Sequence, residues 1–133
     1  MRRVLLVEDS ASMRAFVRAA LASASGLGPL EVAEAASGFD ALRLLPRGAW
    51  DLVITDINMP DINGLELISF IKKSEAHRNT PILIISTASS ERDRERGMTL
   101  GASGYLVKPF SAEALVEQAL EHMGSEPASG AHA

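Results

Sequence analysis

Val4-Leu5-Leu6-Val7-Glu8-Asp9 decides the fold. Four apolar residues run without a polar break and then meet two carboxylates. The plan recurs in Leu52-Val53-Ile54-Thr55-Asp56 and in Ile82-Leu83-Ile84-Ile85-Ser86-Thr87. Continuous apolar runs of this length suit strands buried on both faces, as in a parallel sheet. Two weaker runs, Leu30 to Ala33 and Tyr105 to Val107, complete a set of five.

The segments between the runs carry a helical period. Met13, Phe16, Val17, Ala20 and Leu21 form one apolar stripe. Gly64, Leu67, Ile68 and Ile71 repeat it, as do Val116, Ala119, Leu120 and Met123. Phe39, Leu42 and Leu45 predict a shorter helix, stopped by Pro46 and Gly48. Glu91 to Leu100 is polar at its start and should be the least firmly docked helix. Strand and helix alternating five times predict one α/β domain, a doubly wound (βα)5 fold, over residues 1–123. Right-handed crossovers divide the helices between two faces. The small, polar residues 124–133 read as a free end or a linker stub.

Composition removes several classes. The 133 residues suit one domain, and 47% apolar with 23% charged is ordinary for a globular chain. A net charge of −4 disfavours nucleic acid or an anionic membrane as the main partner. The absence of Cys excludes disulfides and thiolate metal sites and fits a cytoplasmic protein. No apolar run approaches the roughly 20 residues that span a bilayer. Charge follows Val7 too soon for a signal peptide.

In doubly wound sheets, sites form at the carboxyl ends of the strands. Those ends carry Glu8 and Asp9, then Asp56, then Ser86 and Thr87, then Lys108 and Pro109. Each residue alone has an ordinary explanation as a cap, a turn residue or a surface charge. Their convergence on one mouth is what points to chemistry. Three crowded carboxylates resist full ionisation unless a cation sits among them. Hard oxygen ligands without His or Cys favour Mg²⁺. A carboxylate on such a cation can attack phosphorus and form an acyl phosphate, with a Lys and a Thr hydroxyl holding the other phosphoryl oxygens. Asp56 is the candidate nucleophile.

Other motifs fail. The segment from Met59 lacks the Asp and the closing Glu of an EF-hand loop, and no dinucleotide fingerprint or P-loop is present. Ser10 and Ser12 lack a His partner, and Ser10 reads as a helix cap. His77, His122 and His132 are scattered and read as solvated side chains. Opposite charges three residues apart within Glu91-Arg92-Asp93-Arg94-Glu95-Arg96 read as a solvated helix face.

Val7-Glu8-Asp9-Ser10, Thr55-Asp56-Ile57-Asn58-Met59-Pro60 with Gly64, Ser86-Thr87-Ala88, and Gly104-Tyr105-Leu106-Val107-Lys108-Pro109 stand in one order. In that order the chain resembles response-regulator receiver domains over about residues 2 to 123. The Asn58-Met59-Pro60 and Gly104-Tyr105 details are most similar to the chemotaxis-type (CheY-like) members. The resemblance implies a five-stranded parallel sheet in the order 2-1-3-4-5. It implies Asp56 as phosphoacceptor, and Mg²⁺ held by the carboxylates of Asp9 and Asp56, by the backbone carbonyl of Asn58, and by Glu8 through a water. Thr87 would hydrogen-bond the phosphoryl group and Lys108 would pair with it. Thr87 and Tyr105 would form the switch, the Lys108-Pro109 bond would be cis, and Asn58 and Ser89 would flank the path of the attacking water.

The implied function is a phosphorylation-driven switch fed by a histidine kinase or histidine phosphotransfer protein. It would turn over no external substrate. Its output would be a downstream protein docking on the face of residues 91–100, Tyr105 and 112–123, without direct contact to nucleic acid or membrane. A receiver cut from a longer regulator with an output domain is the alternative. An aspartate-nucleophile phosphatase of the haloacid dehalogenase type fits less well, because Asn58 stands where its second Asp belongs. A phosphate-independent binding platform is a further alternative, against which the complete acidic cluster, Thr87 and Lys108 argue.

Overall fold

The structure, a computed structural model, describes residues 1–124. Its strands are β1 (Arg2–Val7), β2 (Leu30–Ala35), β3 (Leu52–Asp56), β4 (Ile82–Thr87) and β5 (Gly104–Lys108). All pair in parallel, in the order β2-β1-β3-β4-β5. This is the expected doubly wound sheet. Each strand runs one or two residues beyond its apolar run, because backbone pairing with a neighbour continues where the side chains turn polar.

The helices are α1 (Ala11–Ala22), α2 (Gly38–Leu44), α3 (Gly64–Lys73), α4 (Glu91–Leu100) and α5 (Ala112–Met123). Alternate strand residues feed two cores. Val4, Leu6, Leu52, Ile54, Leu83 and Ile85 pack with α1 and α5, through Val17, Leu21, Leu115 and Ala119. Leu5, Val7, Val53, Ile82 and Ile84 pack with α2 and α3, through Ala41, Ile68 and Ile71. Strands buried on both faces explain why the runs are continuous rather than alternating.

Local chemistry starts the helices. Ser10, Ser37, Asn63 and Ser111 each accept the backbone N–H three residues on, and Asn63 with Glu66 forms a full capping box. On α4 only Gly97 is buried, in line with its polar sequence.

Several expectations need correction. Phe39 is 63% exposed, because the buried stripe of α2 and the turn after it is Gly38, Ala41 and Leu45. His77 is not solvated. It is buried in the turn between α3 and β4, and its Nδ1 has no hydrogen-bond partner among the described residues. His122 is half-buried against β5, where Gly104 leaves room, and it bonds Gln118 Oε1 at 3.1 Å. Of the charge pairs expected on α4, Asp93 and Arg96 meet at 3.8 Å, whereas Arg94 turns towards β4. His132 and most of the expected tail lie outside the described residues.

Candidate functional site

The register levels the strand ends. Val7 stands beside Thr55, Asp56 beside Ile85, and Thr87 beside Lys108. Glu8 and Asp9 follow directly at the end of β1. The residues singled out at the strand ends therefore meet at one mouth.

One carboxylate oxygen from each of Glu8, Asp9 and Asp56 lies within 4.8 Å of the others. Glu8 and Asp56 are buried and Asp9 is exposed. The Lys108 ammonium bridges the buried pair, 2.7 Å from Glu8 Oε1 and 2.9 Å from Asp56 Oδ2. Asp56 Oδ1 also accepts the Asn58 N–H at 3.2 Å, and Glu8 Oε2 accepts the Ser10 N–H at 2.9 Å. The Lys108-Pro109 peptide bond is cis.

The electrostatics follow from crowding. Burial pushes the Glu8 carboxyl above its ordinary value, although Lys108 and the Ser10 amide pull the other way. Burial also works against the charge on Lys108, but its two carboxylate partners outweigh it and hold the ammonium pKa above normal. One ammonium facing three carboxylates leaves the mouth short of positive charge. An all-oxygen donor set of this kind fits a hard divalent cation.

Thr87 Oγ1 is engaged by Ser89 Oγ at 2.9 Å and Ser90 Oγ at 3.2 Å. Ser90 Oγ also accepts from Asn58 Nδ2 at 3.1 Å. Tyr105 is 47% exposed, and the Arg94 guanidinium lies 5.5 Å from its ring centre. Arg94 donates to the Thr87 carbonyl at 2.7 Å. Thr87 and Tyr105 thus share one neighbour.

Two features escaped the sequence reading. Ser90 links Thr87 to Asn58, and its only signal is a hydroxyl one helical turn after Thr87. Asp61 caps α2 from the loop after β3, accepting the N–H groups of Gly38 at 3.0 Å and Phe39 at 2.9 Å. No local spacing announces a cap that comes from another loop.

The response regulator receiver domain family matches residues 4–120 of the chain. The chain belongs to that family. Chemotaxis protein CheY-3 of Vibrio cholerae is 34% identical over 116 residues, covering 87% of each chain. A CheY homolog of Campylobacter jejuni is 32% identical over 130 residues, covering 97% of this chain and 98% of its own. The solved structure of the chemotaxis response regulator CheY4 of Vibrio cholerae superposes with a TM-score of 0.81 at 35% identity. It covers 91% of this chain and 98% of the other. This receiver domain contains no helix long and apolar enough to cross a membrane among the described residues.

Proposed function

We propose that this receiver domain is a phosphorylation-activated switch that carries a phosphoryl group on Asp56. The observation that supports it most is the meeting of Asp56 with Glu8, Asp9 and Lys108 at one rim. A histidine kinase or histidine phosphotransfer protein is the donor. Asp56 attacks phosphorus, an Asp O–P bond forms, the P–N bond to the donor imidazole breaks, and the imidazole takes up a proton. Hydrolysis later breaks the O–P bond and returns Asp56 and inorganic phosphate. The domain turns over no external metabolite and works in the cytoplasm.

Mg²⁺ would be the cofactor: Asp9, Asp56 and the Asn58 carbonyl would hold it, and Glu8 would act through a water. It would supply positive charge against the transferring phosphoryl oxygens. The chain's own groups do the rest. Lys108 neutralises Asp56 and then pairs with a phosphoryl oxygen. Thr87 turns its hydroxyl to another, and the Tyr105 ring follows into the space released. Phosphorylation adds about −2 charge and three acceptor oxygens, enough to bias two packings close in energy. The output face is α4, β5 and α5, where sparse burial on α4 makes resetting cheap.

The test is addition of Mg²⁺ with beryllofluoride, followed by NMR. Shifts centred on Asp56, Thr87 and Tyr105 are expected. A spectrum unchanged at those residues would overturn the reading. Steady turnover of a phosphate monoester, lost in Asp56→Asn, would favour the phosphatase instead.

A further inference from the structure

We propose that Ser90 is a positioning residue that ties the Thr87 hydroxyl to the Asn58 amide and opposes the move of Thr87 towards Asp56. The inference rests on the phosphorylation reading above. Ser90 closes the single 3-10 turn Ala88–Ser90 that leads into α4. It is only 6% exposed. Such a turn brings residues three apart onto one side, so Ser90 returns beside Thr87.

The hydrogen inventory fixes the Asn58 end of the link and allows one consistent direction for the rest. A Ser or Thr hydroxyl offers one hydrogen and two lone pairs. Asn58 Nδ2 can only donate, so Ser90 Oγ accepts from it. The Ser90 hydrogen is then free for Thr87 Oγ1, and the Thr87 hydrogen for Ser89 Oγ. The chain Asn58 to Ser90 to Thr87 to Ser89 satisfies every contact. In it, the one hydrogen that Thr87 has for a phosphoryl oxygen is spent on Ser89.

A Thr87 hydroxyl that turns to Asp56 abandons both serines. The two losses differ. Ser89 is exposed, so water replaces its lost partner. Ser90 is buried, and its hydroxyl is left with Asn58 alone. A buried hydroxyl deprived of a partner costs free energy that no solvent returns. Ser90 rather than Ser89 therefore opposes the switch. Asn58 feels the same link from the other end. Its backbone N–H holds Asp56 Oδ1 while its side chain holds Ser90.

The experiment is titration of beryllofluoride in the presence of Mg²⁺, read by fluorine NMR, on the wild type, Ser90→Ala and Ser89→Ala. Urea unfolding of each protein checks that it is folded. Ser90→Ala should bind about fivefold more tightly, the equivalent of one net neutral hydrogen bond of about 1 kcal/mol. Ser89→Ala should tighten binding clearly less than Ser90→Ala does, because water replaces the exposed Ser89 hydroxyl. A merely structural role for Ser90 would lower stability without tightening binding. An unchanged or weaker Ser90→Ala would overturn this inference and leave the phosphorylation reading standing. A wild type that does not bind beryllofluoride would overturn both.

Discussion

The Nζ of Lys108 lies 2.9 Å from Oδ2 of Asp56, although 52 residues of chain separate them. The contact is a product of strand register, since Lys108 ends β5 level with Thr87 and Asp56 stands beside Ile85. The same ammonium touches Glu8. Lys108→Met would leave two buried carboxylates facing each other without it. Stability at neutral pH without divalent cations should fall by about 1–3 kcal/mol, the cost of stranding charged partners. Millimolar Mg²⁺ should recover part of the loss, because a ligand that binds only the folded state stabilises it. Urea titration followed by the fluorescence of Trp50, which is buried and the only tryptophan, reads both effects.

Gly64 sets how closely α3 approaches the end of β3. A Cβ there would run into the Asp56 carbonyl oxygen and come within 2.8 Å of the Ile57 Cα. Both are backbone atoms, so no side chain can swing aside. The Gly64 N–H also closes the loop by donating to the Ile57 carbonyl at 2.8 Å. Gly64→Ala should cost about 3 kcal/mol, at the upper end for an overpacked site, despite alanine's better helix propensity. Denaturant unfolding measures it. A variant as stable as wild type would contradict the close approach.

Asp61 supplies a pH signature. The Phe39 amide, with that of Gly38, holds its carboxyl below the usual value of 3.8. A depressed folded pKa contributes stability above the unfolded value, and that contribution is lost as pH falls through the folded pKa. Asp61→Asn should therefore melt below wild type at neutral pH, by an amount that is constant down to about pH 5. The two melting curves should converge as the pH falls below 3.8. A gap that persists at the lowest pH would contradict the cap.

Arg94 holds Tyr105 from outside, 5.5 Å over its ring, while its N–H reaches the Thr87 carbonyl. Arg94→Ala should free the ring. The variant should lose only about 0.5–1 kcal/mol, as for an exposed cation–π pair. The ring resonances of Tyr105 should narrow and move towards free-tyrosine positions. Unchanged ring resonances would show that the contact restrains nothing.

The fold was largely legible because strands buried on both faces write uninterrupted apolar runs, and because topology says which strand ends meet. Glu8, Asp9, Asp56, Thr87 and Lys108 all sit where such runs stop. The unreadable part is set by distance in sequence. His77 looks like any polar loop residue, and only the folded turn buries it. Phe39 fits a helical spacing with Leu42, yet the stripe one position earlier faces the core. On α5 the buried positions include Leu115, which the stripe through Val116 passes over. Ser90 and Asp61 act on partners 32 and 23 residues away, so no local period encodes them.

The most direct measurement is the mass of the intact domain after incubation with Mg²⁺ and a small phosphodonor, with peptide mapping of the adduct. One phosphoryl group on Asp56, absent without Mg²⁺ and absent in Asp56→Asn, is the predicted result. An unmodified wild type, or a phosphoryl group on any other residue, would contradict the account.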